Sequence, residues 1–168
     1  MNRRSSTASC SRRCGYRLVN LIELTTAVAE TWRKIPPLVE HLGKPEAIVA
    51  YIDRNPDPNN LAKRVYEMQP GTILVAWQQT SFTASSMEAW THSLQGFIKA
   101  KKGDSALTVL DLLVNGIPEP GDGLIWRFCH VLDATLPPQI TEIVRIPDEE
   151  GIDYFILTME IQETGDQQ

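Results

Sequence analysis

The chain has 168 residues, 22% of them charged and 42% hydrophobic, with a formal net charge of −5, a composition that excludes a wholly disordered or collagen-like chain and suits one folded unit. The longest unbroken apolar run, Ala47 to Ile52, has six residues, whereas a membrane-spanning helix needs about twenty, so no membrane is expected. Five arginines and no acid lie in residues 1–17, leaving 11 basic against 21 acidic side chains in residues 18–168, a net of −10, which disfavours gripping a phosphate backbone.

Residues 1–18 read as a disordered basic arm without apolar periodicity. The only candidate signal core, Leu18 to Ala29, is broken by Asn20 and Glu23, which excludes a secretory signal and weakens a twin-arginine reading of Ser11-Arg12-Arg13. A start at Val19 through a GTG codon is favoured, because folded sequence begins there abruptly, and residues 19–168 are read as a single domain. Asn20 with Glu23 fits a capping box, followed by a helical stripe of Leu21, Leu24, Val28, Trp32 and Ile35. Pro36-Pro37 should stop that helix, with one further turn over Leu38 to Leu42 ended by Gly43 and Pro45.

Ala47 to Ile52 fits a short buried strand or a helical piece. The proline- and asparagine-rich segment Asp53 to Asn60 reads as a loop, and Leu61, Val65 and Met68 predict a short helix closed by Pro70-Gly71. Thr72 to Phe82 predicts a strand, buried at first and wetter later. After the polar tip Thr83 to Glu88, Trp90 to Ala100 carries His92, Leu94, Gly96 and Ile98 on one face, completing an antiparallel hairpin. Asp104 is the expected cap of a helix with Leu107, Leu110 and Val114 on one face, closed by Asn115-Gly116 and Pro118. A strand over Leu124 to Leu132 follows. Alternation over Ile140 to Ile146 and Ile152 to Glu163, around the turn Asp148-Glu149-Glu150-Gly151, predicts a second hairpin with Phe155, Leu157, Met159 and Ile161 facing one way. The predicted class is α+β, an antiparallel or mixed sheet with helices packed on one face.

Chemical motifs are sparse. Cys10 and Cys14 supply half a zinc site with no second pair, so no metal is expected, and three cysteines make no paired framework, which reads as reduced, intracellular thiols. Adjacent strand residues point to opposite faces, so Cys129 and His130 cannot act side by side. His41 and His92 lack an acidic partner at motif spacing and read as solvated or core-edge residues. No phosphate-binding glycine loop, Gly-x-Ser-x-Gly elbow or His-Glu-x-x-His is present, and no cofactor is expected. Trp32, Trp77, Trp90 and Trp126 read as core or subunit-contact residues rather than a base-stacking platform, because no basic groove accompanies them.

From about Ile48 onward the order of motifs resembles the tail-terminator (tail-completion, minor tail) proteins of bacteriophages. The resemblance is carried by Tyr51-Ile52-Asp53 with Pro56, Met68-Gln69-Pro70-Gly71-Thr72-Ile73-Leu74-Val75-Ala76-Trp77, Trp90-Thr91-His92, Gly116-Ile117-Pro118, and Asp148-Glu149-Glu150-Gly151-Ile152-Asp153-Tyr154-Phe155. It implies a small α+β domain assembling as a homo-hexameric ring in the virion neck, put together in the host cytoplasm. Such a ring caps the tail tube, joins the head–tail connector, lets DNA pass without holding it, and has no catalytic role. Ser85, Ser86 and Glu88 in the hairpin tip, Glu119 and Asp122, and Asp148, Glu149 and Glu150 are then the candidates for axial contacts or lumen lining. The residues 1–17 do not fit the family pattern. The alternative is a small intracellular hydrolase or transferase with a pocket around Cys129, His130 and Asp133.

Overall fold

The computed structural model describes residues 20–53, 58–84, 88–115, 139–147 and 152–164. The chain is an α+β fold: helix α1 (Leu21–Arg33), helix α2 (Pro36–Leu42), a 3-10 turn, strand β1 (Ile48–Tyr51), helix α3 (Pro58–Tyr66), strands β2 (Thr72–Ala84) and β3 (Glu88–Lys99), helix α4 (Ala106–Asn115), and strands β4 (Gln139–Pro147) and β5 (Asp153–Thr164). The five strands form one open mixed sheet in the order β1-β2-β3-β5-β4, with β1 parallel to β2 and the other pairs antiparallel.

Asn20 caps α1 as expected: its side chain accepts from the Ile22 N–H at 3.0 Å, satisfying one of the donors that every helix N-terminus leaves over. Leu24, Val28 and Trp32 bury the predicted stripe. The Pro36-Pro37 pair does not merely stop α1, which ends at Arg33; it opens α2. Proline is suited to the first helical turn because the N–H it lacks would have no intrahelical partner there. Gly43 closes α2 in the left-handed region at φ 92°, its N–H donating to the Val39 carbonyl at 2.8 Å.

The ambiguous segment after Pro45 resolves as β1, whose parallel register sets Ile48 beside Ile73 and Tyr51 beside Ala76. Helix α3 begins at Pro58, inside the predicted loop, and ends at Tyr66. Helix α4 differs in cap and in face. Ser105, not Asp104, caps it, its hydroxyl accepting from the Leu107 N–H at 3.2 Å. Leu107 is 57% exposed, while Ala106, Val109, Leu110 and Leu113 are buried, so the inward stripe is set one position from the predicted one.

The main core lies between the sheet and α1, α2 and α4: Leu24, Trp32, Leu38, Leu110 and Leu113 meet Ile48, Ile73, Leu94, Ile98, Phe155 and Leu157. The predicted inward residues of β3 and β5 are buried in this core. Gly96 sits under Trp32; a Cβ there would lie 2.9 Å from the indole Cη2. Helix α3 covers part of the opposite face, where Leu61 and Val65 pack on Met68, Leu74, Ala76, Phe97 and Tyr154.

Three strands run much further than their neighbours. β2, β3 and β5 pair almost from end to end, but β1 reaches only Ile73 to Ala76 of β2, and β4 pairs with β5 only from Asp153 to Glu160. The far half of β2-β3-β5 therefore stands beyond the short strands as a three-stranded arm. The predicted strand Leu124 to Leu132 and the C-terminal closure of α4 by Gly116 and Pro118 lie outside the described residues.

Candidate interaction surface

The arm carries a polar chain that begins at an exposed tryptophan. Register shifts between Trp77 and Gln79, where β2 bulges against β3. In a regular strand residues three apart point to opposite faces, but the extra residue inverts the phase, and Trp77 and Thr80 come to the same side. The Trp77 Nε1–H donates to Thr80 Oγ1 at 3.1 Å. That oxygen also lies 3.0 Å from His92 Nδ1, directly across on β3, where the hydroxyl proton can be donated to the ring nitrogen. His92 is 1% exposed and Trp77 39% exposed, so the chain links a buried imidazole to the surface. Of the two roles open to His92, the structure chooses a buried position at the end of the core.

Beyond the chain, Phe82 and Trp90 sit opposite each other on the two strands with ring centroids 4.6 Å apart and planes tilted by 44°, a favourable aromatic geometry. Phe82 is 44% exposed. Trp77 and Phe82 thus present large apolar surfaces on the same strand segment. Gln78 to Ala84 contains neither charge nor proline, and no Lys or Arg occurs anywhere from Val65 to Ile98. Among the described residues no strand pairs with Gln78 to Ala84 on the side away from β3.

The opposite edge of the sheet is β4. Every residue from Thr141 to Ile146 is exposed, and Ile143, Val144 and Ile146 are among the exposed large hydrophobics. Arg145 pairs with Asp153 across the β4–β5 hairpin and lies over the Phe155 ring, 5.8 Å from its centroid. Both of these contacts are with β5 and tie β4 to its neighbour.

Of the residues singled out from sequence, Glu88 takes the first position of β3, opposite Ala84. Ser85, Ser86, Glu119, Asp122, Asp148, Glu149 and Glu150 lie outside the described residues, as do Cys10, Cys14, Trp126 and the Cys129, His130, Asp133 set. His41 does have an acidic neighbour: its Nε2 lies 3.6 Å from Asp104 Oδ2. The pair is separated by 63 positions in the chain, which no local spacing could reveal. Lys101 adds to this corner, its Nζ donating to the His41 carbonyl at 2.7 Å and so meeting the negative end of α2.

Among the described residues no group of three His, Cys, Asp or Glu side chains is placed to hold a metal ion, and no helix is long and apolar enough to cross a membrane. On the opposite face, burial pushes the Tyr154 phenol far above its ordinary range, and its hydroxyl has no hydrogen-bond partner among the described residues. The exposed aromatics of β2 escaped sequence reading because Ile73 to Trp77 forms a continuous β-rich run; the bulge that turns Trp77 toward Thr80 has no signature in it.

Compared with known proteins, the sequence matches no family model and no curated protein.

Proposed function

We propose that the chain is a structural, non-catalytic subunit of a bacteriophage tail neck, a tail-terminator protein whose copies form a ring that caps the tail tube and joins it to the head–tail connector. The observation that carries the reading is the open five-stranded sheet, which among the described residues leaves an unpaired edge on each side, one of them the uncharged β2 segment Gln78 to Ala84 that carries Phe82 next to Trp77. A subunit built for a closed ring needs two different surfaces, because each copy contacts one neighbour with one patch and the next neighbour with another. An open sheet supplies two such surfaces from a single architectural element.

Charge supports the passage of DNA through such a ring. With a net of −10 over residues 18–168, the body repels phosphate and lets a duplex slide without being held. In this reading the ring is a homo-hexamer in the virion neck, formed in the host cytoplasm, and needs no cofactor.

The deciding experiment is light scattering of the purified full chain over a range of concentrations, followed by mixing with polymerised tail tubes of the same virus and electron microscopy. A hexamer, or a monomer that converts to one as concentration rises, with rings seated at tube ends, is the expected result. A dimer that leaves tube ends bare, with hydrolase or transferase activity lost on Cys129→Ser, would replace this reading with the enzyme.

A further inference from the structure

We infer that the β2 edge of the arm, Gln78 to Ala84, receives the β4 edge of a second copy of this chain, extending the sheet from one subunit into the next. The inference deepens the ring reading by naming its subunit contact, and rests on that reading for the closure of the ring.

The first argument is the lack of protection on β2. Proteins guard exposed strand edges with lysine, proline, inward-pointing charge or very short strands, because a free row of N–H and C=O groups recruits any available strand. Gln78 to Ala84 has no charge and no proline over seven residues, stands beyond the reach of β1, and among the described residues pairs with no strand but β3. The one irregularity, the bulge at Trp77 and Gln79, lies at the root of the segment and leaves the part beyond it regular. An edge of this kind, with Phe82 44% exposed on it, is built to be covered.

The second argument identifies what covers it. β4 closes the other end of the same sheet and spans nine residues, Gln139–Pro147, long enough to cover the seven-residue open segment of β2. Its one proline is the last residue, so its N–H groups are present from Gln139 to Ile146. Ile143 is 46% and Val144 37% exposed. They lie on opposite faces of the strand, so a strand added beside β4 gains apolar contact on both sides. Pairing β2 with a second β2 would also bury the arm, but would leave the β4 row open. Joining β2 to β4 satisfies both edges with one kind of contact repeated around a ring.

The test is complementation between two edge-blocked full-length variants, followed by light scattering and far-UV circular dichroism. In the first, Ser81→Lys/Thr83→Lys places charge on two exposed positions of β2. In the second, Ile143→Lys/Val144→Lys does so on β4. Each variant is expected to fold with the wild-type spectrum and to be monomeric at concentrations where the wild type is a ring. Mixed one to one, they should form a heterodimer and grow no further, since each mixture contains a single intact pair of edges. If the β4 variant dimerises alone, the contact is β2 to β2 and the inference fails. If both variants still form rings, another surface makes the contact, and the ring reading survives without this junction. If the wild type stays monomeric at all concentrations and at tube ends, both fall together. Should a lysine variant misfold, Ser81→Glu/Thr83→Glu and Ile143→Glu/Val144→Glu repeat the same comparison.

Discussion

Replacing Thr80 by valine tests whether the arm is held in shape by its polar chain. Valine keeps the β-branched shape and strand preference but removes the hydroxyl. Two hydrogen bonds are lost, and their costs differ. Trp77 is 39% exposed, so water can take over its indole N–H and little is forfeited. His92 is 1% exposed, so the hydroxyl that meets Nδ1 is removed where water does not readily take its place; losing one side of a buried hydrogen bond costs about 1–3 kcal/mol. For a chain of this size that lowers Tm by roughly 2–12 °C. Thr80→Ser retains both bonds and should lose less than half as much. The measurements are thermal and urea unfolding followed by circular dichroism, with hydrogen exchange across Trp77 to Ala84 and Glu88 to Leu94. The variant should exchange faster in those two segments while α1 and α4 stay protected, since local opening reports local stability. Equal stability of the valine and serine variants would refute the reasoning, because the chain would then contribute nothing.

Three further substitutions test the packing that positions the arm. Gly96→Ala drives a methyl to within 2.9 Å of the Trp32 ring and should cost about 1–3 kcal/mol by urea unfolding; combining it with Trp32→Phe should cost less than the two changes added, and strict additivity would sink the account. Tyr154→Phe removes a buried hydroxyl that has no partner among the described residues and should leave stability at neutral pH unchanged or higher. Burial raises the folded phenol above its unfolded value of about 10, so the protonated form favours the fold below that pH and the wild type loses this stability as pH climbs past it; a phenylalanine variant with the same alkaline decline would count against it. Ser105→Ala should lose about 1 kcal/mol as a helix cap, more than Asp104→Ala, and the reverse order in chemical denaturation would return the cap to Asp104.

What the sequence made legible was periodicity and punctuation. Alternation in β3 and β5 named the inward residues, and Asn20 and Gly43 marked helix ends through hydrogen bonds their own segments make. The misreadings arise where two local signals compete. Asp104 and Ser105 are both good caps, and the choice fell to the one whose oxygen reaches the Leu107 N–H. Pro36-Pro37 ends one helix and begins another equally well, and only the packing of Leu38 and Leu42 decides between the two uses. β1 could not be told from a helical piece because its register depends on Ile73 to Ala76, some 25 positions away. The interaction surface was less legible still. A run such as Ile73 to Trp77 reads as buried, and the register shift at its last residue, which brings Trp77 to the side of Thr80, has no local signature.

The acidic body and the β2 edge differ in charge, and the sequence separates them. The body carries its net of −10 over residues 18–168, yet the β2 edge Gln78 to Ala84 has no charge and lies in a stretch without Lys or Arg from Val65 to Ile98. Acidic copies repel one another at a distance, and salt screens that repulsion within about 10 Å at 0.1 M. Backbone pairing between a chargeless β2 edge and β4, whose Glu142 and Arg145 cancel in net charge, has little Coulomb attraction to lose. Subunit association should therefore hold or strengthen as salt rises from about 0.05 to 0.5 M, a range over which exposed ion pairs weaken. Sedimentation at several salt concentrations reads this directly. A steep loss of association with salt would place opposite charges at the contact, and would move it away from Gln78 to Ala84, where there are none.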